Sequence, residues 1–335
     1  MKLHKFNYVG SQNDGDTLWD SQKECTNIFI KITKIDIFLN YFIDNKPDEY
    51  DNLNDIIYNN NNKFVLCLVS TTNSAHSISE IISFIDFYKK NNFMDHVIIN
   101  EDVKTYLPFI YQLLTLFIPE NKIYFLSHNK LYKFTNLLIY NSHHFNCTNN
   151  WNSIPFIKDD NTLYFENLKN IKNTFVVDSQ FLFQKIEEIY NTHKDKYKLY
   201  DNIMIVKFDN ECATTPDRGF TVLSNEVKTT IEKNNINIIS INKFQNIYEY
   251  ICVLYHAKKV VFSYGGPCCT NRFFVNPLAE VIVLACKTYE YEYEYNNLNK
   301  NYWHVRSSHL CPVKKQTFLL NVDKVLTIEF IEKII

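Results

Sequence analysis

The chain has 335 residues, enough for two cores rather than one. It is 46% hydrophobic and 16% aromatic, which excludes a disordered polymer, and its net charge of -2 supplies no field that would draw it to nucleic acid or to an anionic membrane. The 9 cysteines are odd in number, scattered and without a CxxC pair, so neither a disulfide framework nor a zinc site is expected and the implied compartment is reducing. Residues Met1 to Asp16 are polar and carry no signal-peptide apolar region. No run reaches the roughly 18 apolar residues that a membrane span needs. The expectation is a cytoplasmic protein.

The first 60 residues give little pattern and read as an irregular extension of a first domain. An Asn tract, Asn59 to Asn62, then leads into an apolar β-rich run, Phe64 to Ser70. A helical pattern follows from about Ala75 to Lys90, with Ile78, Ile81, Ile82 and Ile85 on one face. Next come a short strand (His96 to Ile99), a helix (Val103 to Phe117) and two strands, Lys122 to Leu126 and Leu137 to Tyr140. The stretch from Ser142 to Asn173 reads as loop-rich and holds the junction. A helix from about Gln180 to Asn191 precedes a second series: strand Ile203 to Phe208, helix Asn225 to Asn234, strand Ile236 to Ile241, helix Gln245 to Ala257, strand Lys259 to Ser263 and strand Val281 to Ala285. Strands alternating with helices predict α/β domains with parallel sheets covered on both faces. The predicted division is 1–170 and 171–335, two Rossmann-like domains facing a cleft. Ligands of such sheets bind outside the carboxyl ends of the strands.

One stretch concentrates the functional signal. The strand Lys259 to Ser263 stops at Tyr264-Gly265-Gly266, and Thr270-Asn271 follow. With only 5 glycines in the chain, two adjacent ones mark a sharp turn or a close backbone approach. Strand, glycine turn and helix start is one way of building an anion cradle from backbone N–H groups; a tight strand-to-helix turn without a ligand would share the pattern. Thr270 and Asn271 suit either a capping role or contact with a ligand.

Three blocks, taken together, resemble the family 61 glycosyltransferases, which include eukaryotic protein O-linked N-acetylglucosaminyl- and xylosyltransferases. The first is Asn73-Ser-Ala-His76-Ser-Ile-Ser-Glu80, matching a His four residues before an acid just after a strand. The second is Ile205-Val-Lys207 followed by Arg218-Gly-Phe-Thr-Val-Leu223-Ser-Asn225-Glu226. The third runs from His256-Ala257 through Tyr264-Gly265-Gly266-Pro-Cys-Cys-Thr270-Asn271-Arg-Phe-Phe274-Val-Asn-Pro277. The resemblance covers roughly Phe64 to Leu284. Three positions depart from the family pattern: Tyr264 replaces a His, Gly266 an Ala and Lys207 an Arg. A tyrosine cannot serve as a base near neutral pH, and a lysine loses the bidentate fork.

What the resemblance implies is a metal-independent, inverting transferase of GT-B fold, with no cofactor, that moves a sugar from a nucleotide-sugar, a UDP-sugar by expectation, to a hydroxyl of a glycan or glycoprotein. A leaving diphosphate must then be neutralised by protein groups alone. Lys207 and Arg218 are the candidate cations. Asn225, Tyr264, Gly265, Gly266, Thr270 and Asn271 complete the nucleotide-sugar set. His76 is the candidate base, with Glu80 one helical turn on to orient it. Two other readings remain open: a catalytically degenerate GT-B binding module, and a polysaccharide pyruvyl-type transferase on a similar fold. A metal is not expected: His143-His144 with Cys147 lack a second ligand pair, and Asp14-Gly-Asp16 sits in a polar tail. The abundance of Asn, Ile and Lys is the bias of an AT-rich genome such as that of a large DNA virus, where decoration of a capsid or fibre glycan, in the host cytoplasm or a viral factory, would be the setting.

Overall fold

The computed structural model describes residues 4–7, 28–32, 38–43, 55–58, 64–67, 96–127, 131–134, 137–140, 156–159, 162–166, 180–206, 223–263, 271–286, 315–322, 326–332, 334 and 335, together with helical positions 78, 81, 82, 84, 85, 88 and 89. By its internal packing the chain divides into two units, Met1–Asn146 and Cys147–Ile335. The architecture is α/β, and both units contain parallel sheet.

In the first unit, β5 (Phe64–Cys67), β6 (His96–Asn100), β7 (Ile123–Leu126) and β9 (Leu137–Tyr140) form a four-stranded sheet in the order β7-β6-β5-β9. Every pairing in it is parallel. Parallel strands are buried on both faces and read as continuous apolar runs, and Val97, Ile98 and Ile99 are fully buried. Ile81, Ile82, Phe84 and Ile85 are likewise buried at helical positions. The single helix expected from Val103 to Phe117 is two: α1 (Asp102–Tyr106) and α2 (Pro108–Thr115). Pro108 lacks an N–H and excludes the residue before it from helical geometry, and Leu107 accordingly sits at φ -130, ψ 57.

The first 60 residues are more regular than their sequence suggests. Strands β1 (His4–Asn7), β2 (Ile28–Ile32), β3 (Phe38–Ile43) and β4 (Asp55–Tyr58) join β8 (Leu131–Phe134) in a second, five-stranded sheet, ordered β1-β3-β2-β8-β4. Its pairings are antiparallel except for β4 with β8.

The second unit is built on one seven-stranded sheet. Its strands are β10 (Phe156–Asp159), β11 (Thr162–Glu166), β12 (Asn202–Val206), β13 (Asn237–Ser240), β14 (Lys259–Ser263), β15 (Glu280–Cys286) and β16 (Lys315–Val322), in the order β10-β11-β16-β15-β14-β12-β13. The five strands from β13 to β16 are parallel; β10 and β11, inside the stretch expected to be loop, add an antiparallel hairpin beside β16. In chain order the parallel strands run 2-1-3-4-5, a doubly wound order whose direction reverses between β12 and β14.

Helices α3 (Gln180–His193), α4 (Asn225–Lys233), α5 (Ile247–His256) and α6 (Ile328–Glu332) accompany this sheet. Val227 and Ile231 of α4 pack with Ile331 of α6 on Met204, Val206, Val261, Ile282 and Leu284. Strand residues alternate between faces, so Ile203, Ile205, Val260, Phe262, Val281 and Val283, all buried, belong to the opposite face. The chain passes from β12 out to β13 and back across to β14; right-handed crossovers then put α4 and α5 on opposite faces. α3 packs on α5. Both α4 and α5 start with a side-chain cap: Ser224 Oγ accepts from Val227 N–H at 3.2 Å and Asn246 Oδ1 from Glu249 N–H at 2.9 Å.

Candidate functional site

In a βα unit each helix begins where its strand ends, so the strand carboxyl ends and the helix N-termini share one edge of the sheet. In the second unit that edge receives the end of β12 at Val206 and the end of β14 at Ser263. These strands are neighbours in register, with Ile205 opposite Phe262. The connections that leave them, carrying Lys207 and Arg218 on one side and Tyr264 to Thr270 on the other, therefore start from adjacent points. That is the reversal point of the strand order, the place where doubly wound sheets open a crevice.

Two of the predicted site residues are described in structure. Asn225 opens the first turn of α4 and is exposed; its carbonyl accepts a hydrogen bond from Thr229 Oγ1 at 2.8 Å. Asn271 lies on the path from Ser263 to the next strand, and it is fully buried at 0% exposure. Neither its Oδ1 nor its Nδ2 has a hydrogen-bond partner. Capping does not account for it, because its side chain makes no cap hydrogen bond. The remaining candidates, His76, Glu80, Lys207, Arg218, Tyr264, Gly265, Gly266 and Thr270, lie outside the described residues, as do His143, His144 and Cys147.

Asn271 is itself helical, at φ -66 and ψ -25, and the segment after it changes character. That segment is a three-residue 3-10 turn, Arg272–Phe274. The turn is firmly seated. Phe273 packs on Phe183 of α3 with ring centroids 5.2 Å apart, and Phe274 on Tyr250 of α5 at 5.4 Å. Both phenylalanines are buried, and so is Arg272 between them and Asn271. Sequence reading passed over Arg272. A guanidinium inside an aromatic run, next to a candidate ligand residue, is the signal that marks it.

Compared with known proteins, the chain matches no family model and no curated protein.

The opposite, amino-terminal edge of the same sheet carries a polar cluster of its own. Tyr190 Oη and His256 Nδ1 share a hydrogen bond of 2.8 Å, and His256 Nε2 lies 3.4 Å from Asp201 Oδ1. Lys258 Nζ donates to Asp201 Oδ2 at 2.8 Å. The Lys258 hydrogen bond, above all, holds the Asp201 carboxyl below its ordinary range. This cluster ties the ends of α3 and α5 to the start of β12. His256, part of the family-like block, thus sits at the edge opposite the reversal point, in contact with Tyr190 and Asp201.

In the first unit, β6 ends at Asn100, which is buried with its Nδ2 unpartnered. Beside it, Ser127 Oγ donates to Glu101 Oε2 at 2.5 Å across the ends of β6 and β7. The residue was not anticipated; a lone Asn closing the apolar run Val97-Ile98-Ile99 was its only signal. His76 and Glu80 fall in the connection that follows β5, the strand next to β6. Among the described residues, no cluster of three or more metal-ligating side chains occurs, and no helix is long and apolar enough to cross a membrane. Cys67 and Cys252 are buried and form no disulfide.

Proposed function

We propose that the chain is a metal-independent glycosyltransferase that takes a sugar from a nucleotide-sugar, by preference a UDP-sugar, and passes it to a hydroxyl of a glycan or glycoprotein. The observation that carries the reading is Asn271: a buried carboxamide without a partner, immediately before a turn packed on Phe183 and Tyr250 and after the strand that borders the reversal point. Folds rarely leave such a group unpaired unless water, an ion or a ligand supplies the partner. Its neighbours in sequence are the family-like block, and both units contain the parallel sheet that a GT-B arrangement of two Rossmann-like domains requires.

In this reading the connections after β12 and β14 enclose the donor. Arg218 and Lys207 neutralise the diphosphate, and backbone N–H groups of the Gly265-Gly266 turn assist. His76, in the first unit, removes the proton of the acceptor hydroxyl, and Glu80 orients it.

A thermal-shift screen against UDP, GDP, CMP and their sugars, with and without Mg²⁺, tests the proposal. Ligand at about 100 times its dissociation constant adds about 2.7 kcal/mol, a shift of a few degrees. A metal-independent shift with one nucleotide class supports it; no shift with any of them sinks it. Arg218→Ala is expected to weaken UDP binding by about 1.5–3 kcal/mol in a titration, the scale of a charge-assisted hydrogen bond. His76→Ala is expected to keep UDP affinity and abolish transfer; transfer at the unmodified rate would move the base elsewhere. Tight UDP binding with no turnover on any glycan would instead favour the degenerate binding module, to which Tyr264 and Lys207 point.

A further inference from the structure

Asn271 restricts what a ligand must present. A carboxamide carries an acceptor and two donors in one plane, and here both ends are buried and unpaired. The side chain has no easy escape to water, because the turn that follows it is held by Phe183 and Tyr250. With no exposed surface, the carboxamide is reached only by displacing the groups that now cover it.

Candidate partners differ in what they relieve. The diphosphate of a nucleotide-sugar carries no proton at neutral pH and offers only acceptors. It would satisfy Nδ2 and leave Oδ1 buried, unpaired and facing negative charge. A cation would satisfy Oδ1 alone. A group with a donor and an acceptor side by side satisfies both, as the cis-diol of a ribose or the imide edge of a uracil-type base does. The transferred sugar offers hydroxyls too, but it must stay open to the acceptor, and a fully enclosed side chain is the wrong place for it. The nucleoside is the end of the donor that can be enclosed.

We infer that Asn271 binds the nucleoside of the donor through a paired donor and acceptor and takes no part in holding the diphosphate. This rests on the reading of the crevice as a nucleotide-sugar site. It assigns Asn271 the choice of nucleoside and leaves the phosphates to the cations.

Titration of the full chain, Asn271→Leu and Asn271→Asp with UDP, 2′-deoxy-UDP and pyrophosphate tests it. Leu is close in size and makes no hydrogen bond; it is expected to raise the melting temperature of the ligand-free protein, to weaken UDP about tenfold, and to leave pyrophosphate unchanged. Asp keeps an acceptor and is expected to weaken UDP no more than Leu does. If Asn271→Leu unfolds the protein, Asn271→Ser replaces it in the same comparison. A ribose partner predicts that 2′-deoxy-UDP binds the Leu variant and the unmodified protein alike; a base partner predicts that the tenfold gap persists. The inference is overturned if Asp weakens UDP tenfold more than Leu, which would put phosphate at Asn271. Unchanged UDP affinity in Asn271→Leu would overturn it too, leaving a trapped water as the partner. If the unmodified protein binds no nucleotide, the nucleotide-sugar reading itself falls, a failure distinct from either of these.

Discussion

Asp201 and Asn271 stand at opposite edges of one sheet and show opposite treatments of a polar side chain. Asp201 is half-exposed and fully engaged, by Lys258 and His256. Asn271 is enclosed and engaged by nothing. The first is a framework contact with a definite pH signature. Its carboxyl titrates below the ordinary 3.8 in the folded chain, because the Lys258 hydrogen bond favours the charged form. A depressed folded pKa contributes stability that is present above the unfolded pKa and is lost as pH falls through the folded one. Asp201→Asn should therefore be less stable than the unmodified chain above about pH 4 and converge on it in more acid solution. Urea unfolding at a series of pH values measures this, and a gap that persists at acid pH would remove Asp201 as its cause. Asn271 was legible as a motif residue, but its enclosure was not: a sequence shows which residue types follow a strand, not which are sealed from water.

At the scale of elements, strands with parallel partners and apolar runs were the easiest to read. Leu137–Tyr140 and Lys259–Ser263 have the boundaries that their apolar runs predict. Buried parallel strands declare themselves because both faces demand apolar residues. Antiparallel and edge strands do not, and most misses lie there: β1 to β4, β8, and the β10-β11 hairpin inside a presumed loop; β16, interior and parallel to β15, was missed as well, its run Lys315-Gln-Thr broken by polar residues. Ile28, Ile30 and Ile32 do alternate, yet a chain this rich in isoleucine and asparagine makes short alternations common. The break at Pro108 was visible and underweighted, since a proline inside an apolar helical pattern starts a new helix as readily as it bends an old one. Packing supplies the element-scale prediction. Ile231 of α4 is buried against Met204 and Ile331, whereas Leu278 is 95% exposed. Ile231→Ala should cost about 2–5 kcal/mol and Leu278→Ala less than about 0.5 kcal/mol, both read from urea unfolding. Similar losses at the two positions would contradict the assignment of α4 to the core.

For the whole molecule, the division at Asn146 and Cys147 separates two sets of sheets with no strand shared between them. A fragment comprising Cys147–Ile335 is expected to fold alone with a single cooperative thermal transition, and to keep the nucleotide affinity of the full chain. Calorimetry and titration of the fragment decide this; a fragment that unfolds without a transition would show that the second unit depends on the first. Transfer, by contrast, should be absent from the fragment, because the proposed base lies in the first unit.

The pairing of β11 with β16 also has a consequence during synthesis. Residues 162–166 lie beside residues 315–319, so roughly 150 residues must be translated before the earlier strand meets its neighbour. At about 5–20 residues per second the ribosome takes on the order of ten seconds to deliver that partner. Throughout that interval the β10-β11 hairpin has no sheet to join. Nascent chains should gain protease resistance late and abruptly, once β16 has left the exit tunnel, and the wait for that strand makes this protein a natural client for chaperones that shield unpaired β edges.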